Sequence, residues 1–279
     1  MPIDYSSIDR VFDLSFGKLD TPRARLEFPA PGTLSEELNA LIKSGEASPV
    51  LPHNKWQMLA SCSVEMWHRS IHSFLWSVTL TETSPLWASV SGYYASHYVM
   101  RAFAHSMGIF KSFTAKSAIQ IKMEAGQFVL SPFKGKGEHP FYWNAVRGYS
   151  KFATNPLFYD NNERDIDSDA AHRTFANYTD HVNSFKPLKC SDVAWAMNYV
   201  EKISHFRLGS TVKRPSRDEY PNLQDVQILA FQRIVTFNDF LDERIPTNRF
   251  WRAHRRPAWC KDIMLFQIED SGLELPSAT

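Results

Sequence analysis

The sequence predicts a mainly α protein, a multi-helix bundle with a β-hairpin inserted at about 117–131. Three observations predict it. Apolar residues recur every three or four positions through 54–80 and again through 221–245. Residues 86–107 are apolar around the whole helix axis, as in a central, buried helix. At 118–130 the period falls to two, the spacing of strands.

Residues 1–32 hold Pro22, Pro29, Pro31 and Gly32 and read as an irregular arm. Thr33 to Glu36 is a capping-box pattern that opens a short helix to about Ser44, before Pro49 and Pro52. A long helix follows from Asn54 to about Leu80, with Trp56, Leu59, Ala60, Trp67, Ile71, Phe74 and Val78 as its stripe. Pro85 suits a first helical position, and the second long helix runs from Leu86 to about Met107, with Gly108 as its stop. Ala118–Met123 and Gln127–Leu130 flank Glu124-Ala125-Gly126 as a hairpin. Residues 141–165 are ambiguous. Asp167 or Ser168 caps a helix to about Phe185, and Ser191 or Asp192 another to about Leu208. A basic, proline-containing loop spans Gly209–Tyr220. Pro221 opens a last long helix with Leu223, Val226, Ala230, Ile234, Phe237 and Leu241 as its stripe. Pro246 and Pro257 make the remainder a basic, solvated tail. No repeat or linker divides the chain. The expected organisation is one domain over 1–279, with its core at about 54–245, an arm at 1–32 and a tail at 246–279.

The 279 residues are 43% apolar and 22% charged, with a net charge of +1, so a uniformly basic nucleic-acid binder is excluded. Positive charge gathers late, at Lys213, Arg214 and Arg217, then at Arg249, Arg252, Arg255 and Arg256. Aromatic content is 14%, enough for a dense core or a stacking surface. Cys62, Cys190 and Cys260 form no paired motif, which disfavours a cysteine zinc site and fits a reducing, cytoplasmic compartment. No leader-like segment and no run of about 18 apolar residues is present, so a soluble chain without a membrane span is expected.

The second long helix carries the most chemistry. At about 100° per residue, Tyr94, Tyr98, Arg101 and His105 share a face. Two phenols, a cation and an imidazole on one stripe can hold phosphate or move protons. The plainer reading is that these polar tips satisfy one another in a core. His97 reads as a hydrogen-bonded core histidine. On the first long helix Ser61, Glu65, His68 and His72 share a flank, and Glu65-Met-Trp-His68 has the Glu-x-x-His spacing of di-metal bundles. The second motif such a centre needs is missing: Asp169-Ala-Ala-His172 and Glu201 with His205 do not supply it. No metal and no cofactor is expected. Serine-hydrolase, P-loop and dinucleotide motifs are absent.

Within 85–108, a small residue, then Tyr93-Tyr94-Ala95, then Arg101-Ala102 seven residues after Tyr94, then Gly108, resembles the signature helix of HEPN domains. These are helical bundles of bacterial toxins, antiphage defence proteins and RNA-processing factors. Outside that helix, the chain is similar to the family only as a succession of helices. The resemblance implies an RNA-directed homodimer, a defence-system partner protein, and metal-independent RNA cleavage by an Arg and a His with four to six residues between them. Arg101 and His105 are one residue short of that spacing. Arg249 and His254 fit it. His205 and Arg207 stand at a comparable place in reversed order. Substrate contacts are expected from Tyr94, Tyr98, Arg101, His105, Lys213, Arg214 and Arg217. The competing readings are a non-catalytic dimerisation or interaction protein and, further off, a metal-dependent bundle enzyme.

Overall fold

The computed structural model describes residues 3–19, 31–44, 49–81, 84–111, 117–135, 139–153, 155–158, 207–208, 225–255 and 267–268. Among them are seven helices: α1 (Ile8–Gly17), α2 (Pro31–Lys43), α3 (Gln57–Thr79), α4 (Pro85–Ser106), α5 (His139–Arg147), α6 (Asp225–Arg244) and α7 (Arg249–His254). A three-stranded antiparallel sheet of β1 (Ile109–Lys111), β2 (Ser117–Glu124) and β3 (Gln127–Lys134) follows α4. The mainly α bundle with a hairpin insertion is therefore what the chain adopts. No helix among the described residues is long and apolar enough to cross a membrane.

The antiparallel pair α3–α4 is the frame of the fold. Ser63, Ser70 and Ser77 repeat every seven residues along α3, and Ala88, Ala95 and Ala102 do the same along α4; all six are fully buried. Ser63 Oγ donates to Ala102 O at 2.7 Å, which sets Ser70 level with Ala95 and Ser77 level with Ala88. Small side chains at a seven-residue repeat keep one seam facing the partner and let the two backbones come close. The hydroxyls of Ser70 and Ser77 donate to carbonyls of their own helix, so burying them leaves no unmet donor there.

α6 packs on the other side of α4 with the stripe Val226, Ala230, Ile234, Phe237 and Leu241, all buried. Gly92 makes room for it: a Cβ there would lie 3.3 Å from Gln227 Cγ. Gln227 Nε2 then reaches across to Ser77 O and Thr81 Oγ1, both at 2.8 Å. The sheet closes one end. Gly108, at φ +72°, ends α4, and its carbonyl accepts from Ile121 N at 2.8 Å. Ala125 and Gly126, both with positive φ, make the two-residue turn between β2 and β3.

Several boundaries differ from the sequence reading. The 1–32 arm is not irregular throughout: α1 buries Ile8, Val11, Phe12 and Phe16 against the core. α2 opens at Pro31, so Thr33 lies inside the helix and does not cap it. The hairpin gains a third strand, β1. The start of the ambiguous region, residues 141–147, belongs to α5, and a single 3₁₀ turn follows at Pro156–Phe158. The solvated-tail expectation is overturned at α7, whose Phe250 and Trp251 are fully buried. Asn248 caps it, accepting from Trp251 N at 2.8 Å and donating to Phe16 O at 2.9 Å. Trp251 Nε1 donates to Asp242 Oδ1 at 2.6 Å. Arg207 and Leu208, expected at a helix end, form a short parallel pair with Gln267 and Ile268. The helix expected at 167–185, and the rest of the one expected from Ser191 or Asp192 to about Leu208, lie outside the described residues.

Candidate functional site

The polar face predicted on α4 divides into a sealed part and an open part. His97, Arg101 and His105 follow one another at single turns, and Tyr142 of α5 covers all three. Its ring centre lies 5.8 Å from that of His97, 5.4 Å from the Arg101 guanidinium carbon and 5.9 Å from the His105 ring. Arg101 is 6% exposed, and His105 also stacks on Phe110 at 4.5 Å. Burial first, and the Arg101 charge second, hold the His105 imidazole well below the ordinary histidine range, against a hydrogen bond with the Cys62 backbone. Burial, with Glu65 nearby, pushes the Cys62 thiol up, so it stays protonated and inert. Arg101 and His105, expected as substrate contacts, are thus core groups under an aromatic cover.

The other part of the flank is open. Measured from the Ser63–Ala102 seam at 100° per residue, Arg69 and Trp76 of α3 and Trp87, Tyr94 and Tyr98 of α4 all lie roughly 60–120° to the same side. Trp76 stands in the last turn of α3 and Trp87 in the first turn of α4, at one end of the pair. They are 53% and 51% exposed, the two exposed large apolar side chains among the described residues. Tyr94 and Tyr98 are half-buried, with ring centres 6.2 Å apart. Trp76 Nε1 donates to His72 Nε2 at 3.2 Å, and Arg69 pairs with Glu65 at 2.6 Å. The flank therefore offers four aromatic rings, a guanidinium and an imidazole.

α7 holds the Arg249/His254 pair. Arg249 is exposed and His254 half-buried. Five residues put them roughly 140° apart around the helix, so one short helix does not aim both at one atom. The His254 ring lies tilted against Phe250 with centres 4.6 Å apart, and its carbonyl takes His68 Nε2–H at 2.6 Å. His68 points away from the seam, so α7 lies on the far side of α3 from the aromatic flank. Burial, chiefly, lowers the His68 pKa to about 4. Glu65 and His68 diverge, one to Arg69 and one to α7, so the Glu-x-x-His spacing makes no pair. Among the described residues no three ligand-type side chains gather where a metal ion could be held. His205, Lys213, Arg214 and Arg217 lie outside the described residues, and Arg207 is described by its backbone alone.

No family model, curated protein or solved structure matches this chain. The site rests on its geometry.

Sequence reasoning passed over Trp76 and Trp87. A signal was present for Trp76, which falls off the stripe that Trp67, Ile71, Phe74 and Val78 define on α3; Trp87 stands on α4, which reads as apolar around the whole axis and so offers no such contrast.

Proposed function

We propose that the chain is an RNA-directed helical protein that holds unpaired bases on the aromatic flank of α3 and α4. The observation that carries this reading is the half exposure of Trp76 and Trp87 on the flank that also bears Tyr94, Tyr98 and Arg69. Every base has a π-face, so aromatic stacking captures single strands without reading their sequence. A-form duplexes hide those faces and are poor ligands for such a surface. The likeness of 85–108 to HEPN domains supports the same reading, and with it a homodimer and a partner within a cytoplasmic defence or toxin system. With one guanidinium, Arg69, on the flank, binding by stacking is expected to weaken only gently with salt.

Fluorescence anisotropy with a labelled single-stranded RNA tests it. Trp76→Ala and Trp87→Ala are each expected to weaken binding by about 1–3 kcal/mol, roughly 5- to 150-fold. The thermal midpoint should hardly move, because each side chain already stands half in water. RNA affinity that ignores both substitutions rules the flank out.

Cleavage is a second reading, favoured by the exposed guanidinium of Arg249, with His254 acting from a different face of α7. If His254 supplies the acid or base, His254→Ala should slow RNA cleavage by about 10²–10⁴. Intact RNA after incubation with the wild-type protein would leave binding as the activity.

A further inference from the structure

We infer that the aromatic flank seats a short unpaired run of about five nucleotides, such as a hairpin loop or an overhang presents, in a trough floored by Ser73 and Ser91. The inference rests on the RNA reading above and adds the length and the seat of the strand. Around the helix axes the flank has two sets of positions. Arg69 and Trp76 on α3, and Trp87 and Tyr94 on α4, stand roughly 100° from the seam. Ser73, Ser91 and Tyr98 stand roughly 60° from it, closer to the line where the helices meet. The first set makes two rims and the second a floor. Because the seam sets Ser70 level with Ala95 and Ser77 level with Ala88, Ser73 and Ser91 fall at nearly one height. Trp76 and Trp87 then stand on one side of them, Arg69 and Tyr94 on the other. The half-exposed indoles mark the trough as a binding surface, and the serines set its depth. Ser73 and Ser91 are half-buried, and with Tyr98 they carry hydroxyls that make no hydrogen bond among the described residues.

Both ends of the trough are bounded. Arg101 and His105 repeat the positions of Tyr94 and Tyr98 two turns further along α4. There Tyr142 of α5 lies over the face, 5.4 Å from the Arg101 guanidinium carbon and 5.9 Å from the His105 ring. The open platform thus stops at Tyr98. At the other end α3 finishes at Thr79 and α4 begins at Pro85. From Trp87 to Tyr98 the helix rises roughly 16 Å. A stacked strand advances about 3.4 Å per nucleotide, so that distance holds about five. Bases laid in the trough meet aromatic rings on their faces. Their edges and the ribose 2′-hydroxyls meet the serine floor, where a hydroxyl donates or accepts as its partner requires. Arg69, paired with Glu65 at 2.6 Å, stands on one rim and supplies a phosphate contact.

Oligouridines of two to ten nucleotides, competed against a labelled strand in fluorescence anisotropy, test the length. Affinity should rise roughly fivefold or more with each nucleotide up to about five. Beyond that it should grow only with the number of registers a longer strand offers. An affinity that climbs at the same rate to ten nucleotides, or is complete at two, overturns the inference and leaves the RNA reading standing. No binding at any length ends the RNA reading, and this inference with it. The seat is tested by Ser91→Leu, which fills the floor, beside Ser91→Ala, which keeps it open. Ser73→Leu repeats the test from α3. Leucine at either position should weaken binding of the five-nucleotide strand by about tenfold or more, and alanine only a few-fold. The thermal midpoint should hardly move in any of the three, because both positions face water in part. Wild-type affinity in folded Ser91→Leu and Ser73→Leu overturns the seat.

Discussion

Arg233→Ala is expected to remove about 3–5 kcal/mol of stability, the range seen when a buried, hydrogen-bonded cation or a large core side chain is deleted. Arg233 lies in the middle of α6 with no exposed surface. Its Nε donates to Leu157 O at 2.7 Å, one of its terminal nitrogens to Ser96 Oγ at 2.9 Å, and its guanidinium stacks over Trp143 at 4.4 Å. One side chain therefore joins α4, α5, α6 and the 3₁₀ turn at 156–158. Alanine leaves a carbonyl and a hydroxyl without that donor and a large void beside the indole. Against a typical total of about 5–15 kcal/mol, the loss takes roughly a fifth or more of the stability. Arg233→Met separates the causes. Methionine fills most of the space and avoids burying a charge, but cannot donate, so it should fall between wild type and alanine. Urea midpoints measured on all three proteins check the order. A midpoint for Arg233→Ala within about 0.5 kcal/mol of wild type, the usual effect of a surface change, would show that this side chain is not the hub its contacts make it.

How much of this was legible in the sequence depends on where each signal is stored. α3, α4 and α6 carry their instructions locally, in stripes of Leu, Ile, Val and Phe repeated over five or six turns. α1 and α7 do not. Each is short, each is followed or preceded by prolines, and each exists because distant groups receive it: Asn248 binds the Phe16 carbonyl, and Trp251 packs edge to face on Trp67 at 5.2 Å. Isolated helices of six to ten residues have little stability of their own, so a local reading assigns them to coil. The same division applies to the site. The sequence places Tyr94, Tyr98, Arg101 and His105 on one face, and they share it. It cannot say which of them meet water, because that is decided by Tyr142 from α5, a segment whose periodicity was ambiguous. Helical spacing supplies direction around an axis. Exposure is settled by what packs across from it.

Acid is expected to weaken the fold through His68, and the sign follows from burial. In the unfolded chain this imidazole takes a proton at about 6.5; in the folded protein it resists until about pH 4. Desolvation is the main cause. The bond to the His254 carbonyl works against it, and charge on His254 adds to the lowering. A depressed folded pKa means that the unfolded state binds the proton first, so stability is complete above about pH 6.5 and drains away as pH falls toward 4. The full difference is about 3 kcal/mol at 1.36 kcal/mol per pH unit. His105, held low by burial and by Arg101, acts in the same direction. Urea unfolding at a series of pH values measures the slope. His68→Gln supplies the control, because its amide can still donate to the His254 carbonyl while losing the titration, so its stability should fall less steeply below pH 6.5. Equal slopes for the two proteins would mean that His68 meets solvent in the folded state. That would in turn undo the placement of α7 against α3, which buries that ring and gives its N–H the carbonyl of residue 254.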